Sequence, residues 1–209
     1  AYEAIGIAQS WNDVYNATPQ GAQPGDLLYK DLNGDGKIDD NDMKAFPRIQ
    51  RDRPTTNFAL SGNFEWKGFD LSIMFQGAAG RKTFWLTANN NPDLQEARQA
   101  TTWDHWTKPW SLENRGGEWT RLGGANNRKE STFWLDNLAY LRLKNLQLGY
   151  TIPQNRLKKI GLSSIRMYVS ADNLATITKF RGLDPEKEGN INDGYPLVKS
   201  FTFGINVGI

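Results

Sequence analysis

The sequence predicts an all-β chain whose strands have the pattern of an antiparallel transmembrane β-barrel wall with long loops at one end. Three observations predict it. Apolar and polar residues alternate over several runs of about ten residues, the length of a tilted membrane-spanning strand. Connections between these runs are short at one end and long at the other, the habit of outer-membrane barrels. Aromatic residues make up 12% of the chain while mean hydropathy is only −0.64, which suits strands whose outward rings alternate with polar neighbours.

The chain opens with AYEAIGIAQS, which lacks the basic and apolar regions of a signal peptide. GDLLYKD follows at 25–31, extended rather than helical, and runs into DLNGDGKIDDND at 31–42. That dodecapeptide has the spacing of a calcium loop. Asp31, Asn33, Asp35, Asp39 and Asp42 stand at positions 1, 3, 5, 9 and 12, with the backbone carbonyl of Lys37 at position 7. Ca²⁺ takes about six to eight oxygens and needs a sharp turn in mid-loop, which Gly36 supplies. Ile38 is the expected apolar anchor of the loop. The twelfth residue is Asp rather than the longer Glu, and Pro47 leaves room for barely a turn of helix afterwards. The ion therefore reads as structural Ca²⁺, a clip on a long connection and not a sensor. Without metal, the same Asn-Gly and Asp-Gly pairs make turns unaided.

Next come NFALSGNFEW and FDLSIMFQ, either side of Lys67-Gly68. A two-residue turn there sets Trp66 opposite Phe69, Phe64 opposite Leu71, Gly62 opposite Ile73 and Leu60 opposite Phe75 on one face. The other face pairs Glu65 with Asp70, Asn63 with Ser72, Ser61 with Met74 and Ala59 with Gln76. One register thus sorts both strands into an apolar and a mostly polar side. Glu65 opposite Asp70 is a like-charge pair, unfavourable unless water or a cation lies between them.

The long stretch 77–132 carries TTWDHWTKPW. Trp103, Trp106, Trp110 and Trp119, with Trp134 just beyond, suit a platform on which sugar rings stack. The preferred reading is that they fold a long loop or join an interfacial aromatic girdle. AYLRLKNLQLGYTI at 139–152 changes phase at Asn145, from Leu141 and Leu143 to Leu146, Leu148 and Tyr150, which predicts a bulge. Turn residues from Pro153 to Gly161 separate it from SIRMYVSADNL at 164–174. SFTFGINVGI closes the sequence with Phe201, Phe203, Ile205, Val207 and Ile209 on one face.

Composition excludes several function classes. With 25 basic and 23 acidic residues the net charge is +2, too weak a bias for nucleic acid. Cysteine is absent, which removes disulfides and thiolate metal sites. His105 is the one histidine and has no nucleophile elbow beside it. No acidic pair is fixed at the separation that glycoside hydrolysis requires, so the chain is not expected to be an enzyme. No run of about 18 apolar residues exists to form a membrane-spanning helix.

Taken in order, PGDLLYKDLNGDGKIDDND (24–42), FDLSIMFQGAAG (69–80), TTWDHWTKPW with RLGG (121–124), STFWLDNLAYLRLKNLQLGYTIP (131–153), IRMYVSADNLATITKFRGLDPE (165–186) and the final alternating strand resemble the C-terminal part of SusC/RagA-type TonB-dependent outer-membrane receptors. The resemblance covers nearly the whole chain. It implies a barrel of about 22 strands with a plugged lumen, of which residues 1–209 are the C-terminal part. It also implies that 11–53 is an extracellular loop carrying the calcium-like segment and that 77–132 is a Trp-rich extracellular loop. The family imports nutrient oligomers, most often oligosaccharides and sometimes peptides. The implied partners are the remaining barrel and plug, TonB through an N-terminal region, a SusD-like surface lipoprotein and outer-membrane lipid. Ile209 departs from the aromatic residue on which such barrels commonly end.

A secreted calcium-dependent carbohydrate-binding or adhesion module is the rival. Such a module must cover Phe58, Leu60, Phe64, Trp66, Phe69, Leu71, Ile73 and Phe75 with a second layer, whereas a barrel leaves them to lipid.

Overall fold

Lys67 and Gly68 both take positive φ, 48° and 91°, as a two-residue turn between right-twisted strands requires. The computed structural model describes residues 1–46, 54–84, 108–157, 161–181, 184–186 and 197–209. In chain order the elements are β1 (Ala4–Ile7), α1 (Trp11–Asn16), β2 (Leu27–Tyr29), β3 (Thr56–Trp66), β4 (Phe69–Ala79), β5 (Lys82–Phe84), β6 (Leu135–Asn137), β7 (Tyr140–Thr151), α2 (Gln154–Leu157), β8 (Ser164–Thr178) and β9 (Ser200–Gly208). They divide into two units, each described by itself.

One unit is a five-stranded antiparallel sheet in the order β3-β4-β7-β8-β9. The hairpin register is the expected one at every pair from Trp66↔Phe69 to Ala59↔Gln76. Pairing then continues straight across the sheet. Phe64, Leu71, Leu148, Val169 and Phe203 form one row, and the neighbouring row on the other face is Asn63, Ser72, Gln147, Ser170 and Thr202. The apolar face is open: Phe64, Leu60, Trp66, Phe201 and Phe203 are all more than 60% exposed. These strands are long enough to cross a bilayer at a tilt. The sheet does not close into a ring among the described residues. No described helix is long and apolar enough to cross a membrane, which leaves crossing by strands untouched.

The predicted bulge is present and double. Lys144 is skipped on β7, and Asn173 and Leu174 are skipped on β8, so that Leu143 pairs with Ala175 and Asn145 with Asp172. Asn173 takes φ 52°, a conformation that Asn tolerates better than most side chains. The strand read at 164–174 therefore runs on to Thr178, and because two residues are skipped Ala171, Ala175 and Ile177 keep to one face.

The resemblance places one downward strand over 134–152, and a second correction falls there. The stretch is not one strand: β6 ends at Asn137 and pairs with β5, and β7 starts afresh at Tyr140. Local alternation cannot reveal that exchange of partners.

The other unit holds the β1–β2 and β5–β6 pairs around a core of Tyr2, Leu27, Tyr29, Phe84, Trp119 and Trp134. Within it, the described residues 11–46 are not bare connection. Ser10 caps α1 by accepting from the Asp13 N–H, while Asp13 accepts from the Ser10 N–H, a reciprocal capping box.

Candidate functional site

The loop 31–42 is built from the inside by its own carboxylates. Asp31 accepts the N–H groups of Gly34 and Gly36 at 2.6 and 2.8 Å, Asn33 Oδ1 accepts Asp35 N–H at 3.0 Å, and Asp35 Oδ1 accepts Lys37 N–H at 2.9 Å. Asp39 caps the short 3₁₀ turn Asp40–Asp42 by accepting from Asn41. Asp42 is fully buried and closes the loop, accepting from Leu32 at 2.7 Å and from Asp39 at 2.9 Å. Those backbone donors, Asp39 first, hold its carboxyl below the usual carboxylate range.

The loop is tied to the unit beneath. Ile38 packs against the core, as expected of the apolar anchor. Tyr2 Oη donates to Asp40 Oδ1 at 3.1 Å, and Lys129 Nζ lies over the rings of Tyr2 and Tyr29 at 4.9 and 5.4 Å. Burial holds Lys129 below the usual ammonium range, opposed by Asp40 and Asp42. The donor set Asp31, Asn33, Asp35, Lys37 carbonyl, Asp39 and Asp42 is all oxygen, the chemistry Ca²⁺ requires. Among the described residues, no three His, Asp or Glu side chains converge on one point that could hold a metal ion; the loop carboxylates face amides.

Of the singled-out tryptophans, Trp103 and Trp106 lie outside the described residues. Trp134 is completely buried, donates Nε1–H to the Asn127 carbonyl at 2.8 Å and meets Phe133 edge to face. Trp119 is buried in the same core. Trp110 is also buried; its indole N–H goes to Gln9 Oε1 at 2.8 Å and its backbone N–H to the Trp119 carbonyl at 3.0 Å. An exposed ring pair among the described residues of this unit, absent from the sequence expectations, is Trp11 stacked on Tyr15 one helical turn later, centroids 5.9 Å apart.

Two quoted motifs interlock. Buried Asp26, from PGDLLYKD, accepts from Arg121 of RLGG at 2.6 Å (Nε) and 3.1 Å (Nη2), and from Asn127 Nδ2 at 3.1 Å. Asn127 Oδ1 in turn accepts the Leu27 N–H at 2.7 Å, and Asn126 Nδ2 donates to the Leu27 carbonyl at 2.7 Å. Asp26 and Arg121 stand 95 positions apart, so no local pattern could have paired them. An Asp bounded by Gly25 and the apolar run Leu27–Tyr29 was the available signal.

On the sheet, the polar face holds paired charges: Arg166 with Asp70, and Arg142 with Asp184 and Glu186.

No protein-family model matches the sequence. Curated relatives do. TonB-dependent receptor P3 of Formosa agariphila is 32% identical over 99% of this chain and 21% of its own length. TonB-dependent receptor SusC of Bacteroides thetaiotaomicron is 25% identical over 97% of the chain and 20% of its own length. The chain therefore spans about a fifth of these relatives. Among solved structures, the RagAB peptide transporter superposes with a TM-score of 0.70 at 23% identity, covering the whole chain and 22% of the transporter chain, a likeness that shows the fold. The chain, with a sheet open on one apolar face, is thus similar along its whole length to one stretch of TonB-dependent receptors of the SusC/RagA type.

Proposed function

We propose that the chain is part of an outer-membrane transporter, energised through TonB, that imports nutrient oligomers, oligosaccharides in the first place, together with a SusD-like surface lipoprotein. One observation supports this most: the five-stranded sheet divides into an open apolar face and a polar face with paired charges. A soluble sandwich buries such an apolar face under a second layer, whereas a barrel wall turns it to lipid and its polar face to the lumen. In this reading β3, β7 and β9 run toward the periplasm and β4 and β8 away from it. The short connections 67–68 and 152–163 are then periplasmic, and the long ones are extracellular. Trp66, Phe69 and Tyr150, at the short-turn end of the apolar face, form part of an interfacial girdle.

The solved neighbour is described as a peptide transporter, so peptides are the second solute class to compare. The test is uptake of labelled oligosaccharides and peptides by cells with and without the full-length receptor. Receptor-dependent entry of oligosaccharides is expected; entry unchanged by its removal overturns the reading.

The reading includes a structural Ca²⁺ held by Asp31, Asn33, Asp35, the Lys37 carbonyl, Asp39 and Asp42. Bound there, the ion would offset half the charge of four neighbouring carboxylates and brace a long outer loop. Support comes from the all-oxygen donor set, its spacing and the seated Ile38 anchor. Calorimetric titration of the full-length receptor with Ca²⁺ is expected to give heat that Asp35→Ala removes; no heat from the unsubstituted protein eliminates the metal.

A further inference from the structure

The polar face of the sheet carries a buried cation with more partners than strand pairing needs. Arg142 of β7 donates from Nη2 to Asp184 Oδ1 at 2.8 Å, from Nη1 to Glu186, and from Nε to Thr176 Oγ1 at 2.9 Å. Its side chain is 3% exposed and that of Asp184 4%. The peptide between the two acids is held as well: Arg81 Nη2 donates to the Pro185 carbonyl at 2.9 Å, and Gln76 Nε2 to Glu186 Oε1 at 3.3 Å. Asp184 also accepts N–H groups of its own connection, from Glu186 at 2.9 Å and Leu197 at 3.4 Å. Three consecutive residues of the connection between β8 and β9 are thus fastened to side chains of β4 and β7 and to Arg81.

Nothing in the sheet register requires this. The connection could leave β8 and return as β9 without touching β4. A guanidinium suits the task because its planar fork serves two carboxylates and a hydroxyl at once, whereas an ammonium is a point charge. Arg142 faces both acids, Asp184 and Glu186, and Arg81 holds the carbonyl of the residue between them. The arrangement stands or falls together, because removing one partner leaves an uncompensated buried charge.

We propose that Arg142 is a positioning residue that pins Asp184-Pro185-Glu186 as a strap across the polar face, so that in the full-length receptor the strap, and not bare sheet, lines the import passage at that level. The pinning stands on these contacts alone. The statement about the passage rests on the transport reading above.

The test is limited proteolysis of the full-length receptor in the outer membrane, following cleavage within 179–199, with heat-modifiable electrophoretic migration confirming a folded barrel. Arg142→Gln and Asp184→Asn are each expected to raise the cleavage rate about tenfold, since cleavage follows the population of the released strap. Arg142→Lys is expected to restore part of the protection. Folded variants cut at the unsubstituted rate overturn the proposal. Should Arg142→Gln fail to fold, Asp184→Asn with Glu186→Gln decides alone, because it leaves every strand side chain in place. Uptake separates the two layers. A released strap with an altered size range of imported oligosaccharides supports the passage lining, and a released strap with an unaltered range overturns that part. Absence of uptake by the unsubstituted receptor overturns the transport reading and leaves the pinning standing.

Discussion

Arg166 reaches from β8 across the whole width of β7 to clasp Asp70 on β4, donating from Nε to Oδ2 at 3.0 Å and from Nη2 to Oδ1 at 2.5 Å. The strand between them has Gly149 at the crossing point, directly opposite Asp70. A Cβ there would lie 2.6 Å from Arg166 Nη2 and 2.6 Å from Asp70 Oδ1, so the clasp exists because that position has no side chain. It also resolves the unfavourable pair noted in the sequence: Asp70 stands opposite Glu65, and the cation that offsets their repulsion comes from two strands away.

Gly149→Val is therefore expected to break the clasp and to destabilise the sheet by about 1–3 kcal/mol, as overpacking typically does. A double-mutant cycle on Arg166→Ala and Asp70→Ala is expected to give a coupling of about 1 kcal/mol or less, since the pair is about a quarter exposed and partly screened. Thermal denaturation of the detergent-solubilised full-length receptor checks both. A Gly149→Val receptor as stable as the original would mean that the clasp passes elsewhere.

What the sequence disclosed depended on the range of the interaction. The hairpin register follows from a two-residue turn and a period of two, both local, and each pair from Trp66↔Phe69 to Ala59↔Gln76 stands where these rules put it. The bulge was legible on β7, where Leu143 and Leu146 are out of phase. It was not legible on β8, where Asn173 and Leu174 interrupt the pattern and the alternation breaks off. The change of partner at Leu138, the Asp26–Arg121 pair and the Arg142 strap were hidden for one shared reason: each joins segments tens of residues apart, and neither spacing nor alternation carries that information. The calcium-like loop was legible in its turns and anchor because Asx side chains bond amides two or three residues on.

The tryptophans of the loop unit divide into rings that fill a core and rings that face solvent. Trp134→Ala removes a fully buried indole and its hydrogen bond to Asn127, and is expected to destabilise that unit by about 3–5 kcal/mol. Trp11→Ala removes a ring that is about half exposed, and is expected to shift stability by less than about 1 kcal/mol. Hydrogen exchange across residues 1–46 and 108–137 of the full-length receptor reads the difference. Equal effects would place the core elsewhere.

Acid should loosen α1 before the core. Asp13 accepts from the Gln9 N–H at 2.8 Å, the Ser10 N–H at 2.9 Å and the Ser10 hydroxyl at 3.1 Å. These donors, the Gln9 amide first, hold its carboxyl below the ordinary range. The folded value lies below the unfolded one, so the cap's contribution is complete above about pH 4 and is lost as pH falls through the depressed folded value. Amide exchange at residues 9–16, corrected for its intrinsic pH dependence, should lose protection in that window, and Asp13→Asn should show the loss already at neutral pH. Protection that is flat from pH 6 to 3 would contradict the cap.

Two adjacent residues of the central strand separate the faces of the sheet most sharply. Leu146 lies between Ile73 and Ala171 on the apolar face, and Gln147 between Ser72 and Ser170 on the polar one. With the apolar face turned to lipid as proposed, a lysine in place of Leu146 must hold its ammonium among lipid tails or bend the long stem toward a headgroup, at a cost of up to about 2–4 kcal/mol. A lysine in place of Gln147 enters a face already furnished with Ser, Thr, Asn and paired charges, where water can solvate it. Leu146→Lys should thus reduce the yield of folded, heat-modifiable receptor on insertion into vesicles, while Gln147→Lys should leave it nearly unchanged. The same pair judges the rival architecture. In a soluble sandwich the apolar face meets a second protein layer and not lipid, so the Leu146→Lys penalty would persist in plain buffer; in a barrel wall it requires the bilayer or detergent to be present at all.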